Sequence, residues 1–191
     1  MINRAGRFHS FKRVSNTQSR RPMIDDPMTV STPIPSTPKI LFVCLGNICR
    51  SPTAEAVFKQ RALQAGLKVM IESAGTSGWH IGEPPDPRAV EHGEKQGYDF
   101  TGMTGQKVSK NDFSRFEYIL AMDSENLSNL RSICPNGYSG HLSRFLDFAP
   151  NLDDKNVPDP YYGGTDGFEQ VIDLIERASD GLIAHLKSLQ I

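Results

Sequence analysis

A thiol, a guanidinium and a hydroxyl fall close together in Cys44-Leu45-Gly46-Asn47-Ile48-Cys49-Arg50-Ser51, and Pro52 follows at once. The apolar run Leu41-Phe42-Val43 before the cysteine reads as the end of a buried parallel strand, and Ser51-Pro52 as the start of a helix. A short loop wrapped from a strand into a helix N-terminus points several backbone N–H groups at one spot, where the helix dipole also favours negative charge. A phosphate is held well there, and so is a thiolate, which is itself an anion. Arg50 adds a planar fork able to clamp two phosphoryl oxygens. The chemistry on offer is nucleophilic attack by sulfur on a bound phosphate.

Plainer readings exist. A cysteine closing a core strand is often a small buried hydrophobe. Cys44 and Cys49 also outline half of a zinc site, but two further ligands are needed, and Cys134 stands alone before Pro135. The surrounding context favours the anion site: strand, glycine-containing loop, arginine, hydroxyl and helix-initiating proline occur in the order that such a site needs.

The elements that must position these residues follow from periodicity and punctuation. Strands are expected at Lys39–Val43, Lys68–Glu72, Tyr118–Met122 and His141–Leu146. Helices are expected from Pro52 to about Ala65, closed by Gly66, and from Pro87 to Gln96, capped by Asp86 and closed by Gly97. A short helical piece near Lys110–Phe113 and a helix capped by Asp123 and running to about Arg131 come next. The C-terminal helix carries one apolar stripe, Phe168, Val171, Ile172, Ile175, Ala178, Leu182, Leu186 and Leu189, and Asp166 with Glu169 has capping-box spacing. Alternating strands and helices predict an α/β fold with a parallel sheet covered on both faces, and ligands in such folds bind at the strand C-termini, where Cys44 lies.

Composition narrows the partners. Residues 1–24 carry six Lys or Arg and no acid, which leaves 15 basic and 22 acidic residues in the remainder. That acidic body is a poor nucleic-acid binder, and no apolar stretch reaches the ~20 residues of a membrane-spanning helix. Three cysteines do not make a secreted disulfide scaffold, and a thiolate nucleophile suits a reducing compartment, so a cytoplasmic location is expected. Residues 1–37, rich in Ser, Thr, Arg and Pro, read as a disordered extension ahead of one domain at 38–191. The basic, acid-poor start is compatible with an organelle transit peptide, and equally with a start codon placed too early.

The run LFVCLGNICRSPTAEA from Leu41 to Ala56 closely resembles the phosphate-binding loop of the low-molecular-weight protein tyrosine phosphatases. A second signature, Val157-Pro158-Asp159-Pro160-Tyr161-Tyr162-Gly163-Gly164, stands in the order that family has. The resemblance runs from about Pro38 to Leu189. It implies a three-layer fold with a four-stranded parallel sheet of order 2-1-3-4. It also implies metal- and cofactor-free hydrolysis of phosphotyrosine and aryl phosphate monoesters through a phosphocysteine.

Cys44 is then the nucleophile and Arg50 the phosphate clamp, with the loop from Leu45 through Gly46, Asn47, Ile48 and Cys49 to Ser51 cradling the phosphate. Asn47 would hold the loop by side-chain hydrogen bonds, matched by Ser73. Ser51 reads equally as a helix cap and as a hydrogen-bond donor to the thiolate. Asp159, by itself a rigid turn residue between prolines, is placed by the resemblance as general acid and base. Tyr161 and Tyr162 would wall the pocket mouth with Trp79 and Leu45, making a slot deep enough for phosphotyrosine. Related phosphatases acting on phosphoarginine carry a threonine at the Ile48 position, so Ile48 argues for tyrosine. Cys49 reads as loop packing, or as a partner that traps oxidised Cys44 in a disulfide. Gln96 departs from relatives that carry a supporting histidine, and the histidines suggest only surface or rim positions.

Two other functions compete. Thioredoxin-coupled arsenate reductases share such a loop but need a further cysteine pair downstream, where this chain has only Cys134. A non-catalytic phosphotyrosine-binding module would be expected to lose the cysteine, the arginine or the acid, and all three are present. The expected partners are phosphotyrosine-containing proteins, not nucleic acid or membrane, met by a monomer.

Overall fold

The computed structural model describes residues 37–162 and 166–189, the side chains of Tyr162 and Asp166 excepted. The capping pair expected of Asp166 and the reading of the chain before Thr37 lie outside the described residues. Four strands, β1 (Lys39–Cys44), β2 (Met70–Gly75), β3 (Tyr118–Ala121) and β4 (His141–Arg144), form one sheet of order β2-β1-β3-β4. Every neighbouring pair is parallel. β1 lies inside the sheet and is covered on both faces, which is why it reads as an unbroken apolar run.

The two faces of β1 divide the core. Ile40, Phe42 and Cys44 face helices α1 (Arg50–Gln64) and α4 (Asp166–Ser188), with the Phe42 ring packed on Phe58 and Phe145. Leu41 and Val43 face Phe113 and Phe116 and helix α3 (Ser124–Ile133), through Leu127 and Leu130. Helix α2 (Pro87–Lys95) is capped by Asp86, whose carboxylate accepts from the Arg88 N–H at 2.8 Å. No described helix is long and apolar enough to cross a membrane.

Several boundaries differ from the sequence expectation. α1 begins at Arg50, so Pro52 is its third residue and not its first. The proline is tolerated because the first N–H to bond within the helix belongs to Thr53, which donates to the Cys49 carbonyl at 3.2 Å. β2 runs two to three residues later than expected, since the ladder opens where Met70 N–H meets the Pro38 carbonyl and extends until Gly75 faces Cys44. β4 stops at Arg144 because Phe145–Phe148 curl into a 3-10 turn that puts Phe145 and Leu146 in the core. On α4 the apolar stripe is buried from Phe168 to Leu186, but Leu189 falls past the helix end and is exposed.

The Phe145–Phe148 turn seats on α4 at Gly181, where an added β-carbon would overlap the Phe148 carbonyl oxygen. This contact anchors the start of the segment that returns to the sheet through Val157, whose N–H donates to the Met122 carbonyl at 2.8 Å. Gly181→Ala should therefore destabilise by about 1–3 kcal/mol through overpacking, although alanine is the better helix former by about 1 kcal/mol. Thermal unfolding should show a lower Tm; a raised Tm would mean that α4 does not seat there.

Candidate active site

β1 delivers Cys44 to the C-terminal edge of the sheet, and the chain turns through residues 45–49 into α1. Asn47 is the pivot. It is the one non-glycine residue with positive φ (58°) among those described, and it is almost fully buried. That left-handed turn lets its own N–H reach the Cys44 Sγ at 3.2 Å. Its side chain is fixed on all sides. Nδ2 donates to Ser51 Oγ at 2.9 Å and to Ser73 Oγ at 3.0 Å, while Oδ1 accepts from the Gln106 N–H at 2.8 Å. Gly75 allows the close approach behind the loop: a β-carbon there would stand 2.7 Å from the Leu45 carbonyl oxygen and 3.1 Å from the Asn47 nitrogen.

Ser51 does not cap the helix. The cap position is Cys49, with no side-chain cap bond, and Ser51 sits inside the first turn. Its hydroxyl lies 3.1 Å from Cys44 Sγ and 3.2 Å from the Ala74 carbonyl, and can donate to either. Behind it, Ser73 Oγ donates to Glu55 Oε2 at 2.7 Å, and Gln106 Nε2 donates to the Ser73 carbonyl at 2.7 Å. Burial pushes the Glu55 carboxyl above its ordinary range, against the Ser73 hydrogen bond. Gln96 takes no part in this network; it lies exposed at the end of α2. Glu55 and Gln106 were not expected from the sequence.

Arg50 is only 4% exposed and holds two carboxylates. One guanidinium nitrogen donates to Asp123 Oδ2 at 2.6 Å and to the Val157 carbonyl at 3.2 Å, the other to Asp159 Oδ2 at 2.8 Å. Burial pulls its pKa down, but the charges of Cys44 and Asp159 and the Asp123 hydrogen bond outweigh it, so the net shift is upward. Asp123 was legible only as a cap, and it does cap α3, accepting from the Asn126 N–H at 2.6 Å. Its second bond to Arg50 was missed. The available signal was a carboxylate directly after a strand, at the sheet edge where Cys44 sits.

A cavity of about 180 Å³ opens over these groups. Cys44, Arg50 and Asp159 line it, along with Gly46, Ile48 and Cys49 from the loop. Leu45, Trp79, Tyr161 and His80 complete the wall. Trp79 is 73% exposed, as befits a residue at the mouth. Tyr161 lies under the Arg88 guanidinium, 5.2 Å from its ring centroid. Asn47 and Ser51 stand behind the loop, off the cavity wall, and the Tyr162 side chain lies outside the described residues. Cys44 and Cys49 are both free thiols. Burial, with the nearby Asp86 carboxylate, pushes the Cys49 thiol far up, while the Arg88 hydrogen bonds hold Asp86 low. Among the described residues no three His, Cys, Asp or Glu side chains gather as a metal site.

The chain is similar to known proteins. The family described as low molecular weight phosphotyrosine protein phosphatase matches residues 39–190. The low molecular weight protein-tyrosine-phosphatase YfkJ of Bacillus subtilis is 45% identical over 150 residues, spanning 78% of this chain and 95% of that protein. A low molecular weight phosphotyrosine protein phosphatase of Schizosaccharomyces pombe is 48% identical over 133 residues, 68% of this chain and 85% of that one. The crystal structure of a protein tyrosine phosphatase from Entamoeba histolytica, with Hepes in its active site, is similar with a TM-score of 0.77 and 41% identity, over 81% of this chain and 100% of that one.

The clamp on Asn47 can be tested directly. Asn47→Ala removes its side-chain hydrogen bonds and leaves a β-carbon in the left-handed region, so stability should fall by about 2–4 kcal/mol. Urea unfolding with a parallel phosphate titration should show both weaker stability and weaker phosphate binding. Unchanged phosphate affinity would mean that the loop keeps its shape without the clamp.

Proposed function

The chain belongs to the low molecular weight phosphotyrosine protein phosphatase family and is a protein-tyrosine-phosphatase, and from that premise we propose that it works through a phosphocysteine formed on Cys44. The observation that carries this reading is Arg50: it is buried beside the cysteine and bonds Asp159 directly, so clamp, nucleophile and acid share one 180 Å³ cavity.

The substrate phosphate sits over Cys44 with its non-bridging oxygens on the loop amides and the Arg50 guanidinium. The Cys44 thiolate attacks phosphorus as the bond to the phenolic oxygen breaks, and Asp159 gives that oxygen a proton. Water then attacks the phosphocysteine, Asp159 takes its proton, and the thiolate departs, helped by the Ser51 hydroxyl 3.1 Å away. Arg50 Nη2 donates to Asp159, so a phosphate that takes this donor would leave the carboxyl to face the leaving group. Asp123 keeps its bond to Nη1 and holds the guanidinium plane. No metal or cofactor takes a step.

Leu45, Trp79 and Tyr161 suit a flat aromatic leaving group. With Ile48 on the wall, we favour phosphotyrosine over phosphoarginine. The free thiols fit a protein acting in the reducing cytoplasm, which we take as its compartment, as a monomer on phosphotyrosine-containing proteins.

Cys44→Ser should abolish aryl phosphate turnover while phosphate binding persists. Asp159→Ala should slow phosphotyrosine hydrolysis roughly 10²- to 10⁴-fold. The loss should be smaller with p-nitrophenyl phosphate, whose leaving group needs no proton. Equal losses on both substrates would make Asp159 structural.

Redox control belongs to the same reading. Peroxide would convert the Cys44 thiolate to a sulfenic acid, and the Cys49 thiol on the same cavity wall would displace water to form a disulfide. Reduction by a dithiol returns both thiols. Peroxide inactivation should therefore be reversed by dithiothreitol in the wild type and recover poorly in Cys49→Ser. Equal recovery in both, or a Cys44–Cys134 disulfide by peptide mapping, would rule this out.

A further inference from the structure

Leu45 lines two cavities. Beyond its far side lies a groove of about 390 Å³, larger than the catalytic cavity and lined also by Thr76, Ser77, Lys107, Lys110 and Asn129. No carboxylate lines this groove, although the body of the chain is acidic. Among the described residues neither lysine ammonium is ion-paired, and the Asn129 side-chain amide makes no hydrogen bond. Thr76 Oγ1 is buried with no partner there. The nearest acid in the chain, Asp112, is already taken by Ser109 and Arg115.

The groove is held at a definite distance from the reacting centre. Lys107 pairs with Gly75 in a parallel bridge, and Gly75 pairs with Cys44, so Lys107 stands two strand spacings, roughly 10 Å, from the nucleophile. Its aliphatic stem lies against Gly78, next to Trp79 at the cavity mouth. An extended peptide gains about 3.3–3.6 Å per residue, so about three residues span the backbone distance from Cys44 to Lys107.

On the phosphatase reading above, we propose that the groove is a second anion subsite that takes an acidic side chain flanking the phosphotyrosine. Lys107 and Lys110 supply the charge and Asn129 a neutral donor, and substrates with aspartate, glutamate or a phosphorylated residue at that reach are preferred. Leu45 separates the two sites, so the flank is read while the phosphotyrosine sits in its own cavity.

The experiment compares kcat/KM on three phosphotyrosine peptides alike except at the flanking positions, which carry glutamate, glutamine or phosphoserine, for the wild type and for Lys107→Ala/Lys110→Ala. Thermal unfolding confirms that the variant is folded. The wild type should prefer glutamate over glutamine by about three- to tenfold, the scale of two exposed charge contacts, chiefly through KM, and less at high salt. The double variant should bring that ratio close to one. A stronger response to phosphoserine than to glutamate would identify the phosphoryl group as the preferred anion in the same subsite. No preference in the wild type, or a preference that survives in the double variant, would overturn the proposal. Failure of the wild type to hydrolyse p-nitrophenyl phosphate would instead defeat the phosphatase reading, and the subsite with it.

Discussion

The site depends on the left-handed turn at Asn47. Only with φ near 58° does the loop between β1 and α1 fold back far enough to aim its amide at Cys44 Sγ. A residue with a β-carbon is held there at a cost of roughly 1–2 kcal/mol. The offset comes from outside the loop: Ser73 is on β2, Gln106 precedes the bridge to Gly75, and Ser51 is in α1. Because those partners belong to separate elements, the cradle keeps its shape only when the sheet is assembled. Packing and catalytic geometry are thus linked through one side chain. Glu55 extends the link into the second turn of α1 through its bond with Ser73.

Charge is arranged with the same economy. Arg50 is buried, so it must be paired, and the fold gives it two carboxylates with different freedom. Asp123 also caps α3 and lies two residues past the end of β3, so its carboxylate is tied to the frame of the fold. Asp159 is more exposed and comes from the segment between the Phe145–Phe148 turn and α4, so in the proposed mechanism it is the partner that a phosphate would replace.

Much of this was legible in the chain. Cys44, Arg50 and the loop between them are neighbours in sequence, and strand-to-helix geometry alone brings them together. The parallel sheet and its covering helices follow from the alternation of apolar runs, and β1, buried on both faces, was the plainest strand. What escaped depends on register. The Asp123–Arg50 pair spans 73 residues, and Gln106 reaches Asn47 only because residues 106–108 run beside the end of β2. A strand misplaced by two residues, as β2 was, hides such a contact. Ser51 was ambiguous because a serine at a helix start serves equally well as a cap or as a hydrogen-bond donor to the thiolate; the observed start at Arg50 decides against the cap.

In the proposed reaction phosphorus passes through the sulfur of Cys44. The most direct measurement is rapid acid quenching of Asp159→Ala during turnover of a good-leaving-group aryl phosphate, followed by peptide mass analysis. With leaving-group departure easy and hydrolysis of the intermediate slowed, one phosphoryl group should accumulate on the peptide that contains Cys44, and Cys44→Ser should show none. Phosphate on any other residue, or phenol release in step with inorganic phosphate and no labelled protein at any time, would contradict a phosphocysteine intermediate.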